Sequence, residues 1–258
     1  MKEGEVLSRT GAVEVLRRLS TGEARFKELN KAVRNSRTLT RRLEELSARG
    51  LVEKAGLRYR ITEKGFNALL RMVEAGEWIS QDLARVGHGL LRISLRRLAE
   101  LFLREFGGDL VSLVVYGSSV KGSFQPGESD VDLLYVVEDD CKNVWQRESV
   151  LFRAFKSTWE YRACDYWFKR HGFYGYPEVS VASLRKRYAA SFQPVYLDMI
   201  FHRAVLYDKD GFFQRLMESL RRALSDLGST RVEHPDGTYF WLLKPDVAFG
   251  EPVEIRME

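Results

Sequence analysis

The stretch VVYGSSVKGSFQPGESDVDLLYVV, residues 114–137, decides the fold of the C-terminal half. It continues an apolar, β-branched run, 109–116 (DLVSLVVY), that reads as a buried strand. Gly117-Ser118-Ser119 and Lys121-Gly122 follow at once, and eleven residues after Ser118 comes Ser129-Asp130-Val131-Asp132-Leu133, opening a second apolar strand. Residues two apart on a strand face the same way, so Asp130 and Asp132 project together. Two carboxylates on one face beside a glycine turn suit Mg²⁺, a hard cation that also binds phosphates. Gly117 lets the backbone approach a triphosphate closely. Ser118 offers a hydroxyl, the amides around it and Ser119 can donate to phosphate oxygens, and Lys121 adds a cation. An ordinary hairpin turn explains each Gly, Ser and Asp separately, but not the ordered set between two buried strands.

That ordered set is similar to the defining motif of the polymerase β nucleotidyltransferase superfamily: strand, Gly-Ser, about ten residues, then an Asp-x-Asp strand. Its Gly-Ser-x-x-x-Gly form looks most like the minimal nucleotidyltransferase branch. The resemblance implies a mixed sheet flanked by helices, Mg²⁺ (or Mn²⁺) at Asp130 and Asp132, and transfer of a nucleoside monophosphate from an NTP to an acceptor hydroxyl. It also implies a third carboxylate from a later strand, completing the metal site and serving as general base. Glu178 opens the apparent strand EVSVASL, where such a residue usually lies. Asp198 sits in PVYLDMI, a segment similar to archaeal relatives carrying LDM and LYD before a final helix. A strand-end surface charge and a cap are the plainer readings of the two. The tail WLLKPDVAFGEPVEI (241–255) resembles a C-terminal segment of archaeal proteins of this branch. There Lys244 would contact phosphate with Asp246 nearby, or form a salt-bridged strand end.

Charge is unevenly spread. Residues 1–70 hold 16 Lys+Arg against 9 Asp+Glu, a net of +7, while the remainder holds 25 against 27, a net of −2. A nucleic-acid-binding module joined to a neutral domain reads this way, as does an arginine-rich solvated surface. Val13, Leu16 and Leu19 share a helical face, Phe26, Leu29 and Val33 share another over 24–33, and Asn35 or Ser36 caps a third helix carrying Leu39, Leu43 and Leu46 inward. The outer side of that third helix shows Arg37, Thr38, Arg41 and Arg42, and Gly50 ends it. Two strands, LVEKA and LRYRIT, turn at Gly56; Leu57, Tyr59 and Ile61 form a packing face that alternates with Arg58 and Arg60. Another helix starts near Lys64. The phrase LTRRLEELSARGLVEKAGLRYRITEKG (39–65) resembles the recognition helix and wing of small bacterial and archaeal transcription regulators. The resemblance implies double-stranded DNA as partner, with Arg37, Thr38 and Arg41 near bases and Arg58 and Arg60 near phosphates. Winged helices also serve as docking modules.

The expected fold is α/β (α+β): a winged helix-turn-helix domain over 1–76, a connecting helix over 77–106, and a mixed-sheet nucleotidyltransferase domain over 107–258. Gly76, Gly87 and Gly89 interrupt the connecting pattern, whose apolar stripe suits a core or a homodimer face. Residues 144–171 read as one long aromatic-rich helix packed on the sheet, and 212–227 as an amphipathic helix before a hairpin turning at Pro235-Asp236-Gly237. Cys141 and Cys164 make no disulfide framework, His88, His171, His202 and His234 have no ligand spacing, and no apolar run nears the ~18 residues of a membrane span. The expected setting is cytoplasmic. Two rival functions accompany the enzyme: a DNA-binding regulator whose nucleotidyltransferase domain binds nucleotide with little or no turnover, and an antitoxin-like partner protein.

Overall fold

The computed structural model describes residues 7, 10–76, 81–235, 238–248 and 251–257. The N-terminal part begins with α1 (Ala12–Leu19), which buries Ala12, Val15, Leu16 and Leu19. Strand β1 (Ala24–Arg25) leads into α2 (Phe26–Val33), where the Arg25 amide donates to Glu28 Oε2 at 2.6 Å. Helix α3 (Ser36–Ala48) is capped by Asn35, whose Oδ1 accepts the Thr38 amide at 2.9 Å, and it buries Leu39, Leu43 and Leu46. Strands β2 (Val52–Ala55) and β3 (Arg58–Ile61) pair antiparallel, and β1 lies on the other edge of β3. Helix α4 (Glu63–Gly76) closes the core with Phe66, Leu69 and Val73.

Three expectations fail here. Ala24 and Arg25 are strand rather than helix, because they pair with Tyr59 and Arg58. Leu57 does not pack: it lies beyond the paired register, beside Gly56 at φ 60°, and is 80% exposed. Arg42 is not on the outer side of α3. It is buried, with Nε donating to the Thr10 carbonyl at 3.0 Å and its guanidinium paired with Glu45.

The connecting helix is also corrected. A 3-10 turn (Gln81–Arg85) precedes α5 (Gly89–Phe106), and residues 77–80 lie outside the described residues. His88 is extended (φ −94°, ψ 120°), and Arg92 reaches back to donate to the Val86 carbonyl at 2.8 Å. Helix α5 then serves two cores. Leu90 and Ile93 join the N-terminal one, while Leu91, Leu95, Leu98, Phe102 and Phe106 join a second.

The second core is one face of a four-stranded mixed sheet, ordered β6-β5-β4-β7 (Val179–Arg185, Val131–Val137, Leu110–Tyr116, Arg203–Asp208). Strand β4 runs antiparallel to β5 and β7, and β5 runs parallel to β6. Burial on both faces explains why β4 and β5 read as continuous apolar runs. Leu113, Val115, Leu133 and Tyr135 face α5, whereas Val114 and Leu134 face α10 (Tyr196–Met199) and α11 (Phe212–Asp226). A short α6 (Ser118–Lys121) follows β4, α9 (Lys186–Ala189) follows β6, and β8 (Thr230–Glu233) pairs with β9 (Tyr239–Leu242). Of the hairpin turn expected at 235–237, Asp236 and Gly237 lie outside the described residues.

The long helix expected over 144–171 is two helices, α7 (Val144–Ser157) and α8 (Trp159–Arg170). Thr158 is extended, and its hydroxyl donates to the Phe155 carbonyl while accepting the Tyr161 amide. Such side-chain bonds let a Ser-Thr pair end one helix and cap the next. The break turns α8 onto the N-terminal part, where Ala163, Cys164 and Phe168 enter its core. Arg170 donates to the Ile61 carbonyl and lies 3.7 Å from Glu53.

Candidate active site

Antiparallel register sets Tyr116, at the end of β4, directly across from Asp132. Gly117 follows with φ 74°, a left-handed value that favours glycine. Space makes the same demand, because a Cβ on Gly117 would stand 2.0 Å from Asp132 Oδ2. The glycine and the carboxylate are therefore one feature: Asp132 lies where only a missing side chain leaves room.

Alternation along β5 sends Asp132 to the same face as Leu134, the face covered by α10. Tyr196 and Met199 bury α10 against the sheet, and Asp198 between them stays exposed. The carboxyl of Asp132 is held above the usual carboxylate range by burial, then by the charges of Asp130 and Asp198. Tyr116 is raised in turn by burial and by Asp132 and Asp198. Asp130, Asp132 and Asp198 are thus electrostatic neighbours, although among the described residues no three His, Cys, Asp or Glu side chains already form a metal-binding group.

The β8–β9 hairpin supplies the opposite charge. Tyr239 donates its hydroxyl to Asp198 Oδ1. Its own pKa is pushed up to about 12 by burial, then by that hydrogen bond and the Asp198 charge. Over its ring lie the Arg231 guanidinium at 4.0 Å and Lys121 Nζ at 5.3 Å. His202 is lowered by burial and then by Arg231 and Lys121. A band of cations therefore borders the three carboxylates.

The other residues singled out in the sequence fall variously. Glu178 precedes β6, its carbonyl accepts the Val131 amide at 2.8 Å, and its exposed side chain borders a cavity shared with Asp130. It does not figure among the charges acting on Asp132. Ser118 begins α6, where the first amides have no carbonyl a turn earlier in the helix. The Ser119 side chain is buried and donates to the Tyr116 carbonyl at 3.2 Å, so its hydroxyl serves the turn. Lys244 pairs with Glu251, the salt-bridged alternative. Sequence reasoning missed Arg231, Tyr239 and His202. No spacing signals them, because the hairpin reaches Asp198 only through the fold.

In the N-terminal part, Arg37, Arg41 and Arg58 are exposed, with no hydrogen bond or ion pair among the described residues. Thr38 is half-buried in the α3 cap, and Arg60 is tied to Glu53 at 2.6 Å.

Comparison with known families finds two matches. Residues 6–87 match the HxlR-like helix-turn-helix, and residues 95–171 match the nucleotidyltransferase domain. The chain fuses a helix-turn-helix domain to a nucleotidyltransferase domain. The nucleotidyltransferase match spans Gly117, Ser118, Asp130 and Asp132 and ends before Glu178 and Asp198. No curated protein matches the chain. Among the described residues, no helix is long and apolar enough to cross a membrane.

Proposed function

We propose that the nucleotidyltransferase domain moves a nucleoside monophosphate from an NTP to an acceptor hydroxyl with Mg²⁺ or Mn²⁺, and that the helix-turn-helix domain binds double-stranded DNA. The observation that carries the reading is the Asp132 carboxylate, lodged against Gly117 and repelled by Asp130 and Asp198. A carboxylate half-buried beside two others fits a hard divalent cation, whose charge offsets both the burial and the repulsion at Asp132. Asp130 and Asp132 would hold the ion, which when bound supplies positive charge at the phosphoryl group in transfer.

The chain's own groups account for the rest. The first amides of α6 and the side chains of Lys121 and Arg231 bind the triphosphate. Asp198, oriented by the Tyr239 hydroxyl, takes the proton from the acceptor hydroxyl as its oxygen bonds to the α-phosphorus. The bond from that phosphorus to the bridging oxygen breaks, and pyrophosphate leaves. This reading puts Asp198 ahead of Glu178 as third carboxylate.

The test is label transfer from α-labelled NTPs to fractionated cell extract with Mg²⁺. Asp132→Asn and Asp198→Asn should each cost about 10²–10³-fold, as loss of one charge-positioning group does, and Glu178→Gln less. The reverse order of the last two would assign the third carboxylate to Glu178. Metal-dependent NTP binding without any labelled acceptor would favour the second reading, a DNA-binding regulator that senses nucleotide, for which the free Arg37, Arg41 and Arg58 speak.

A further inference from the structure

A cavity of about 740 Å³ lies against the other face of the sheet edge, between β6, α7, α8 and residues 174–178. Val179 and Val181 form part of its floor, and both pack toward the core under α5, on the side away from Asp198. Five rings line it: Phe152, Phe155, Tyr161, Tyr176 and the exposed Tyr174. Tyr161 and Tyr176 stack at 4.4 Å, and Phe155 stands edge-on to them at 5.2 and 5.6 Å. The Tyr176 hydroxyl is engaged with Ser94 Oγ at 2.8 Å, so that ring meets the cavity through its carbon atoms.

The ionisable side chains around these rings are one-sided. Glu128, Asp130, Glu148 and Glu178 line the cavity, with Lys156 the single cation. Glu148 accepts the Tyr135 hydroxyl at 2.6 Å, which fixes its carboxylate in place. Asp130 belongs both to this lining and to the cluster around Asp132, so the cavity opens beside the proposed site of transfer. An anion there would meet four carboxylates. A cation would meet them together with ring faces whose quadrupoles attract it.

We propose that this cavity is a second ligand site beside the nucleotide site and that it takes an organic cation, a protonated amine or guanidinium on a body that packs against the rings. The inference goes beyond the transferase reading and does not depend on it. The cavity itself, its rings and its charge are independent of that reading.

Three indole compounds of matched body separate charge from shape: tryptamine (cation), tryptophol (neutral) and indole-3-propionate (anion). Calorimetry on the full chain should show tryptamine binding about tenfold more tightly than tryptophol, with indole-3-propionate weaker still. Glu128→Gln/Glu148→Gln, checked for folding by near-UV circular dichroism, should bring tryptamine down to tryptophol. Asp132→Asn should leave tryptamine binding intact. Equal binding of the three compounds, no tryptamine binding, or tryptamine binding unchanged in the double variant would overturn the inference. So would its loss in Asp132→Asn, which would place the ligand in the nucleotide site. If tryptamine binds as expected but NTP with metal does not, the transferase reading fails and the cation site stands.

Discussion

The two domains carry their functional charges in opposite ways. In the helix-turn-helix domain Arg37, Arg41 and Arg58 are exposed, without a hydrogen bond or ion pair among the described residues. In the nucleotidyltransferase domain Asp132 is wedged against Gly117, pressed by Asp130 and Asp198, and linked through Asp198 to Tyr239 and Arg231. Free surface charges contribute separately and respond to salt. Crowded ones act as a unit, store repulsion and depend on distant segments. The first arrangement suits a polyanion read along its length, and the second a compact ligand that supplies the missing positive charge.

The comparison breaks first if the domains are not mechanically separate. Phe168 of α8 lies in the helix-turn-helix core though its helix follows from the sheet, so Phe168→Ala should destabilise both by about 3–5 kcal/mol. Thermal unfolding should show one transition moved down. A lowered transition for the N-terminal part alone would mean that the domains melt independently.

His88 at the joint offers a pH version. It lies between Trp167 and Phe168 at 4.7 and 5.2 Å, and Nδ1 is buried without a hydrogen-bond partner among the described residues. Its pKa falls to about 4 through burial, then Arg92 and His171. The unfolded chain therefore takes up this proton first, and stability falls as pH drops from about 6.5 toward 4, by at most ~3 kcal/mol. Denaturant midpoints of His88→Phe should lose that acid slope, and an unchanged slope would remove His88 as its source.

How much of this was legible follows the same division. The helix-turn-helix elements are local, so apolar spacing, the Asn35 cap and Gly50 mark them with little error. Leu57 and Arg42 were misplaced because strand alternation stops at a turn and an exposed-looking arginine can fold back onto a backbone carbonyl distant in sequence. The Gly-Ser turn and the Asp-x-Asp strand were readable because they lie close together in the chain, but that Gly117 leaves the room Asp132 occupies was not. Nor was the approach of Asp198, Arg231 and Tyr239 to that carboxylate, since it depends on how α10 and the last hairpin pack. The break at His88 was signalled by Gly87 and Gly89, which interrupt the connecting pattern, whereas the one at Thr158 was hidden by an aromatic-rich stripe that runs through it.

Two smaller effects sharpen the contrast. Arg41→Ala and Arg58→Ala should each weaken duplex binding, the Arg58 variant reducing the salt slope by about 1. Arg60→Ala should change that slope less, because Glu53 already holds its guanidinium. Asp132→Asn, in contrast, should raise Tm slightly, by about 2 °C at most, because it removes a carboxylate disfavoured first by burial and then by its neighbours, an effect that solvent screening keeps below ~1 kcal/mol for a half-exposed group. Since the raised pKa belongs to the folded state, the gain is greatest at neutral pH and shrinks as falling pH protonates Asp132 in the parent. A destabilised variant would mean that the carboxylate is a structural partner.

The central claim is that the carboxylates beside Gly117 form a metal-dependent nucleotide site. Calorimetry of NTP binding with Mg²⁺, with Mn²⁺ and with EDTA, on the parent and on Asp130→Ala/Asp132→Ala, tests it most directly. The account predicts binding that requires the metal and vanishes in the folded double variant. Binding that persists in EDTA or in the double variant, or no binding by well-folded parent protein, would contradict it.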